Sequence, residues 1–209
     1  MSETKIRPVK IVLPPIGENC YILDDGEGKA IIIDPGSYAE TIEEELEKLG
    51  LTPEKILLTH GHFDHMSGVK QLKEKYGAKV YINQNDECML SDRPKSGALI
   101  APLFEYVPTE CDGYLKEGDV IRQGKIEMKV METPGHSKGS VCFIMGDCIF
   151  TGDTLFCGSI GRSDLYLGDH GELEKSLKRL TELPGDYLLY CGHGEDTTLN
   201  EERSFNPFL

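Results

Sequence analysis

Three histidines and one aspartate stand within six residues in segment 59–65, which reads THGHFDH. Neutral imidazole and carboxylate are the usual ligands of zinc and of non-haem iron in proteins. The glycine at position 61 lets the flanking rings turn toward one point without crowding the backbone. Because the segment directly follows the apolar run 56–58, a strand and a sharp turn would hold four such side chains at one sheet edge. The segment therefore predicts half of a metal site.

Three further residues can complete that site. His136, Asp153 and His193 each follow a predicted strand and stand beside a glycine or proline turn. Ligands gather at strand ends, where loops converge, and a carboxylate such as Asp153 can bridge two ions. Each residue alone has an ordinary explanation as a satisfied histidine or a turn aspartate, but together with segment 59–65 they indicate a metal centre. The remaining histidine, His170, is predicted to be a surface loop residue.

The elements that must position these residues follow from apolar periodicity and turn signals. Strands are predicted at 5–13, 18–23, 30–33, 55–58, 79–82, 119–122, 126–132, 140–145, 148–151 and 187–190. Helices are predicted at 39–49, 65–76, 84–90, 171–182 and 197–204, and 91–115 is predicted to be a loop excursion that can reach over the site. Strands on both sides of helical segments predict an α/β fold of two packed sheets with helices outside. One domain over 1–209 is expected for this length.

Net charge and cysteine spacing indicate which kinds of partner and which cellular compartment to expect. The net charge of −14 repels phosphate backbones, so nucleic acid is not expected as a partner. The seven cysteines are scattered without a C-x-x-C motif, and neither a signal peptide nor a membrane span is visible. These features predict a cytoplasmic protein with reduced thiols that acts on a small molecule and needs no membrane. The oligomeric state stays open.

The ligand pattern strongly resembles the metallo-β-lactamase superfamily. Asp34 ends an early strand, the H-x-H-x-D-H run follows, and His136, Asp153 and His193 come in family order, so the match spans residues 34–193. The resemblance implies a four-layer αβ/βα sandwich of two mixed sheets with outer helices and a metal cleft along one edge. It implies two divalent ions, zinc first, with iron or manganese also acceptable to such ligands. The ligands it assigns are His60, His62 and His136 for the first ion, Asp64, His65 and His193 for the second, and Asp153 as the bridge, with Asp34 supporting the site from behind.

Two segments resemble one branch of that superfamily more closely. Segments 151–164 (TGDTLFCGSIGRSD) and 192–209 (GHGEDTTLNEERSFNPFL) look most like the glyoxalase II-like, or hydroxyacylglutathione hydrolase-like, branch. They resemble its short bacterial members, which lack the C-terminal helical extension that helps to hold glutathione. This resemblance implies hydrolysis of S-acyl thioesters of the 2-hydroxyacyl-glutathione kind by a metal-bridging hydroxide. Asp64 and Asp153 are then the expected catalytic residues, and Arg162 could meet a substrate carboxylate.

Other functions of the superfamily are alternatives. Segment 161–164 (GRSD) matches the persulfide dioxygenases, in which a single iron would bind to His60, His136 and Asp153 with His62 displaced. Lactonase, phosphodiesterase and nuclease members are further alternatives, although the negative charge disfavours a nuclease. The complete ligand set disfavours a non-catalytic binding module. Lys138 and Tyr166 could reach a substrate, but surface positions are the expectation for both.

Overall fold

The computed structural model describes residues 5–102, 104 and 106–209. Residues 1–4 of the predicted domain and positions 103 and 105 of the predicted loop lie outside the described residues. The first of two six-stranded sheets runs through the N-terminal half. In spatial order its strands are β1 (Val9–Leu13), β2 (Glu18–Asp24), β3 (Lys29–Ile33), β4 (Thr52–Leu57), β5 (Lys79–Asn83) and β6 (Gly113–Leu115). The first three strands pair antiparallel, and β3 to β6 pair parallel.

Helices connect the parallel strands of the first sheet. They are α1 (Ala39–Leu49), the short α2 (Phe63–Met66), α3 (Val69–Tyr76) and a 3₁₀ helix (Gln84–Leu90). α1 ends at Gly50 and α3 at Gly77, both in the left-handed conformation that glycine adopts without strain. The parallel pairing therefore follows from helical crossovers, as expected for this arrangement of elements.

The second sheet is built by the C-terminal half. Its strands are β7 (Val120–Gln123), β8 (Ile126–Glu132), β9 (Val141–Met145), β10 (Cys148–Gly152), β13 (Leu188–Cys191) and β14 (Thr197–Thr198). β10 and β13 are parallel neighbours, and the other pairs of this sheet are antiparallel. The hairpin of β11 (Leu155–Phe156) and β12 (Ser159–Ile160) follows β10, and the helices are α4 (His170–Thr181) and α5 (Leu199–Phe205).

The alternation of side chains along the strands produces four layers. In β2, Cys20 and Ile22 pack under α1 and α3, whereas Tyr21 and Leu23 face the second sheet. The space between the sheets is filled by large apolar side chains, among them Phe143. A separate cluster packs α4 and α5 against the outer face of the second sheet. Because the central strands are buried on both faces, their sequences read as continuous apolar runs, and the predicted αβ/βα sandwich is confirmed.

Several element boundaries differ from prediction. The first strand begins at Val9 rather than at position 5. The predicted helix 65–76 is two helices, because the chain turns at Gly68, whose N–H donates to the Pro35 carbonyl at 3.0 Å. A Cβ on Gly68 would lie 2.5 Å from the Gly36 carbonyl oxygen, so the backbones touch here. The 3₁₀ helix confirms the helical prediction for 84–90.

Short strands account for most of the remaining errors. The predicted loop 91–115 ends in β6, and β11, β12 and β14 are two residues long, too short to show a period. Residues 197–198 are strand, and the last helix begins at Leu199. His170 was predicted in a loop but is the first residue of α4, exposed and 3.6 Å from Glu174. All seven cysteines are free. Every helix in the described part of the chain is too short or too polar to span a lipid bilayer.

Candidate metal centre

Strand ends from both sheets meet at one edge of the sandwich. In the first sheet, Asp34 follows β3 and segment 59–65 follows β4, which are parallel neighbours. In the second sheet, Asp153 follows β10 and His193 follows β13, again parallel neighbours. His136 lies in the connection between β8 and β9. Parallel strands bring their carboxyl ends to the same edge, so residues far apart in sequence converge there.

The first group of ligand atoms consists of three buried histidine nitrogens. His62 Nδ1 lies 2.8 Å from His136 Nε2, which lies 3.2 Å from His60 Nε2. Ligand nitrogens of a tetrahedral zinc site are roughly 3.3 Å apart, given Zn–N distances of about 2.0–2.1 Å. The three nitrogens therefore have the spacing of ligands to one metal ion, and they form a candidate metal-binding group.

Hydrogen bonds behind two of these rings fix which nitrogen carries the proton. His136 Nδ1 donates to the Arg162 carbonyl at 2.8 Å. The Thr59 hydroxyl donates to the Asp34 carboxylate at 2.6 Å and so accepts from His60 Nδ1 at 3.0 Å. The Nε2 atoms of His60 and His136 are thereby left as facing lone pairs, an arrangement that a cation between them would stabilise.

Burial keeps the imidazoles of His60 and His62 neutral. Desolvation and the neighbouring histidines hold the pKa of His60 well below its usual range and lower the pKa of His62 to about 3. Neutral imidazole is the form that ligates metals. Protons therefore compete weakly for these two histidines near neutral pH.

The second group contains Asp64, His65 and His193. Asp64 Oδ2 lies 3.2 Å from His193 Nε2 and 3.7 Å from His65 Nε2. His65 Nδ1 donates to Asp34 Oδ2 at 3.0 Å, so its Nε2 is the ring nitrogen that faces the site. Asp34 thus serves both groups: it accepts from the Thr59 hydroxyl behind His60 and from His65 directly.

Asp153 lies between the two groups. Its Oδ1 is 3.3 Å from His65 Nε2, and its Oδ2 is 3.5 Å from His136 Nε2 and 3.6 Å from His193 Nε2. Asp153 Oδ1 and His65 Nε2 are buried and have no hydrogen-bond partner. Buried polar atoms are normally satisfied, and bound metal ions would satisfy both. The donor set therefore fits a metal centre on chemistry as well as on spacing.

The carboxylates make the second group electrostatically different from the first. Burial alone would lower the pKa of His65, but Asp153, Asp64 and Asp34 outweigh it and raise that pKa well above its usual value. His193 has its pKa raised by Asp64 and Asp153 against a similar effect of burial. His65 in turn holds the pKa of Asp153 low despite burial. Protons therefore compete with metal more strongly at the second group than at the first.

Sequence reasoning missed two buried acids beside the site. Glu18, at the start of β2, lies 3.8 Å from His65 Nδ1, and its backbone forms a bridge with His193. Burial raises the pKa of Glu18 well above its usual value. Asp86, in the 3₁₀ helix, is fully buried and accepts hydrogen bonds from Gly61 and from the turn after His136. A polar residue at the start of an otherwise buried strand was the available signal for Glu18, whereas local sequence gave none for Asp86.

Segment 135–139 reads GHSKG, which matches the G-x-S-x-G pattern of serine hydrolases. Ser137 is fully buried, and its hydroxyl donates to Asp86 at 2.6 Å. In a nucleophile elbow the serine would instead be exposed at the end of a strand. Ser137 is thus a structural hydroxyl of the His136 turn.

The residues that could reach a substrate lie outside the two ligand groups. The Arg162 guanidinium donates to both oxygens of Asp164, at 2.7 and 2.8 Å, and is half exposed. Its carbonyl is the part that contacts the centre, through His136. Lys138 and Tyr166 are both exposed, as expected for surface positions, and Lys95 Nζ lies 5.7 Å from the Tyr166 ring.

Part of the predicted loop excursion does reach the site. The Ser96 carbonyl accepts from the Phe63 N–H at 3.1 Å. A Cβ on Gly97 would lie 3.6 Å from His62 Cδ2 and 3.6 Å from Leu165 Cδ1. The loop therefore forms the wall beside His62, next to the segment that follows β12.

Comparison with known proteins agrees with this geometry. A family model described as the metallo-beta-lactamase superfamily matches residues 13–193. A protein of Aquifex aeolicus is 44% identical over 206 residues, covering 96% of each chain. The probable metallo-hydrolase YqgX of Bacillus subtilis is 37% identical over 199 residues, covering 93% of each chain. The hydroxyacylglutathione hydrolase GloC of Haemophilus influenzae is 34% identical over 198 residues, covering 92% of each chain.

Solved structures match over nearly the whole chain. The B3 metallo-beta-lactamase BLEG-1 superposes with a TM-score of 0.92 at 35% identity, covering 97% of this chain and 99% of that protein. TTHA1623 in a di-iron-bound form superposes with a TM-score of 0.84 at 38% identity, covering 96% of this chain and 100% of that protein. The second of these structures holds two metal ions on a closely similar fold.

Proposed function

Because this chain belongs to the metallo-β-lactamase superfamily, we propose that it is a dinuclear metal-dependent hydrolase of S-acyl thioesters of the 2-hydroxyacyl-glutathione kind. The observation that carries the proposal is the convergence of two ligand groups on one carboxylate, Asp153. The similarity to GloC supports the thioester as substrate. Two zinc ions are the proposed cofactors, although the di-iron form of TTHA1623 keeps iron open, and such ligands also accept manganese.

The proposed ligand assignment follows the geometry of the two groups. His60, His62 and His136 would hold one ion, and Asp64, His65 and His193 would hold the other. Asp153 has one oxygen near His65 and the other near His136 and His193, so it is placed to contact both ions. Asp34 contacts Thr59 and His65 and is proposed as the supporting acid.

Two divalent ions, when bound, would supply a hydroxide at neutral pH and would polarise a carbonyl group. The chain's own residues keep the site ready for that chemistry. Thr59 and the Arg162 carbonyl hold the protons of His60 and His136 on the outer nitrogens. Asp64 and Asp153 are the proposed catalytic carboxylates because they stay ionised, each pKa being lowered by His65 and His193 against the effect of burial. An ionised carboxylate can accept and orient a water proton.

A thiolate leaving group suits this site. A thiolate departs without a strong protein acid, and the ionised carboxylates of the centre offer no such acid. Arg162 is proposed to meet a carboxylate of the substrate. A small-molecule substrate, a single domain and a cytoplasmic location remain predictions that accompany this proposal.

Two alternatives use the same residues. The iron dioxygenase alternative, suggested by segment 161–164, requires His62 to be displaced from the metal. His62 Nδ1 instead lies 2.8 Å from His136 Nε2, among the ligand atoms, which favours the three-histidine site. Hydrolysis of a β-lactam is the second alternative, because BLEG-1 has a closely similar fold and is a B3 metallo-beta-lactamase.

A substrate panel on one preparation of the zinc-loaded protein separates these functions. We expect release of free thiol from S-lactoylglutathione, with little turnover of a chromogenic cephalosporin and no oxygen uptake on glutathione persulfide. The iron-loaded protein is assayed in parallel. Oxygen uptake by a preparation with one iron per chain would contradict the proposed function and support the dioxygenase alternative. Turnover of the cephalosporin without turnover of S-lactoylglutathione would contradict it and support hydrolysis of a β-lactam.

A further inference from the structure

A single buried carboxylate connects the two turns that carry the first ligand group. Asp86 lies in the 3₁₀ helix and has no solvent exposure. Its Oδ2 accepts from the Gly61 N–H at 3.0 Å and from the Ser137 hydroxyl at 2.6 Å. Its Oδ1 accepts from the Gly139 N–H at 2.7 Å. Gly61 separates His60 from His62, and Ser137 directly follows His136. Asp86 therefore forms hydrogen bonds to residues that are next in sequence to all three histidines of the first ligand group.

The backbone approaches Asp86 closely on both sides. A Cβ on Gly139 would lie 2.6 Å from Asp86 Cγ, and a Cβ on Gly61 would lie 2.9 Å from the Asp86 carbonyl oxygen and 2.8 Å from Met89 Cβ. Glycine is therefore required at both positions by contact with the 3₁₀ helix. This contact is a second reason for the glycine in the H-x-H pair, besides the freedom it gives the two rings.

We infer that Asp86 is a positioning residue that holds the turns of His60, His62 and His136 at metal-ligand spacing. The inference rests on the metal centre of the proposed function. Asp34 does comparable work elsewhere in the site, through Thr59 and His65. Asp86 has no contact with Asp64, His65 or His193 among its hydrogen bonds. Its loss should therefore weaken the first metal site more than the second.

A carboxylate is needed at position 86 because both of its oxygens accept hydrogen bonds from the two turns. An asparagine at this position could keep its oxygen toward Gly61 and Ser137, but its amide group would then face the Gly139 N–H. Two donors facing each other lose one hydrogen bond and leave a buried group unsatisfied. Asp86→Asn should consequently fall between the wild-type protein and Asp86→Ala.

Asp25 provides a matched control. It is also buried, at 2% exposure, and accepts from two backbone N–H groups, those of Glu27 and Lys29, and from the Gln123 side chain. It follows β2 at the end opposite to Glu18, about 20 Å from the site edge at roughly 3.3 Å per residue. Asp25→Ala removes the same number of bonds, two from backbone N–H groups and one from a side chain, without touching either ligand group.

The experiment is a zinc titration of the metal-free full-length protein in competition with a chromophoric chelator. Removing an outer-shell partner weakens metal binding by about 10–100-fold, and we expect that increase in the dissociation constant of one of the two ions in Asp86→Ala. Asp86→Asn should show a smaller increase, and Asp25→Ala should bind both ions within about twofold of wild type. Thermal unfolding of the metal-free variants reports loss of fold separately.

Equal zinc binding by Asp86→Ala and wild type would overturn the inference, and so would equal weakening in Asp86→Ala and Asp25→Ala. If Asp86→Ala does not fold, the zinc affinity of Asp86→Asn is compared with that of Asp25→Asn instead. Equal zinc affinity of these two variants would then overturn the inference. Zinc binding is measured without any substrate. A wild-type protein that binds two ions but leaves thioesters intact would therefore refute the proposed substrate and leave the inference standing.

Discussion

Asp153 is the residue that lies between the two ligand groups. Its oxygens lie within 3.3–3.6 Å of nitrogens from three histidines. Asp153→Ala should bind one ion instead of two and lose more than about a hundredfold in kcat, because a lost ligand costs at least as much as a lost outer-shell partner. Metal content and thiol release from S-lactoylglutathione measure this. Retention of both the second ion and the activity would show that the carboxylate does not bridge.

As the pH is lowered, the two metal ions should dissociate from their ligand groups in a definite order. Protonated imidazole cannot bind metal, and a raised pKa means that protonation begins at higher pH. The pKa values of His65 and His193 are raised, whereas the pKa of His62 is lowered to about 3. As the pH falls from neutral, the ion at Asp64, His65 and His193 should leave first. Metal content after equilibration at stepped pH, with zinc buffered at constant free concentration, tests this order; release of the first-group ion before the other would contradict it.

At the scale of elements, the end of β13 is fixed from the opposite sheet. The Tyr21 hydroxyl donates to the Cys191 carbonyl at 2.6 Å, and Asn19 Nδ2 donates to the same carbonyl at 2.9 Å. These bonds place the strand end that leads to His193. Tyr21→Phe should lower the free energy of unfolding by about 1 kcal/mol, the usual net value of one buried hydrogen bond.

Chemical denaturation of the metal-free protein measures the effect of Tyr21→Phe. Zinc stoichiometry should be unchanged, since Asn19 still holds the Cys191 carbonyl. Loss of an ion, or no change in stability, would show that the strand end is held differently.

The seven proposed ligands could be found from sequence because their types are specific and each follows a strand. The apolar run 30–33 predicted β3 and hence the place of Asp34, and the ends of β10 and β13 placed Asp153 and His193. Asp86 could not be found in this way. Its proposed positioning role depends on contacts 25 to 53 residues away in sequence, and an aspartate in a short helix has no local pattern that reveals such contacts.

Secondary-structure elements likewise divide into those that local sequence predicts and those that depend on tertiary contacts. β8 and α4 were predicted nearly to the residue because each buries a periodic apolar face. β6 pairs with β5 through only three residues, and β14 has only two. Such short strands form because a neighbouring strand presents unpaired backbone N–H and C=O groups. Which strand becomes the neighbour depends on the tertiary structure and not on the local sequence.

At the scale of the molecule, the cysteines should be mostly inert. Cys20, Cys142, Cys148 and Cys191 are buried, and burial raises the pKa of Cys142 to about 11 and that of Cys191 to about 12. Cys157 is exposed at the tip of the β11–β12 hairpin. Reactive thiols are exposed and ionisable.

Iodoacetate should therefore modify Cys157 first in the native protein, with the half-buried Cys88 and Cys111 reacting more slowly. Mass spectrometry of the alkylated protein identifies the site, and Cys157→Ser should remove the fast phase. Rapid modification of Cys142 or Cys191 in the native state would contradict the packing of the core.

The central claim is that two metal ions on one carboxylate make this fold a thioester hydrolase. The most direct test adds zinc stepwise to the metal-free protein and follows thiol release from S-lactoylglutathione at each loading. We predict little activity at one ion per chain and a steep rise as the second ion binds. Full activity at one ion per chain, or no thiol release at two, would contradict the account.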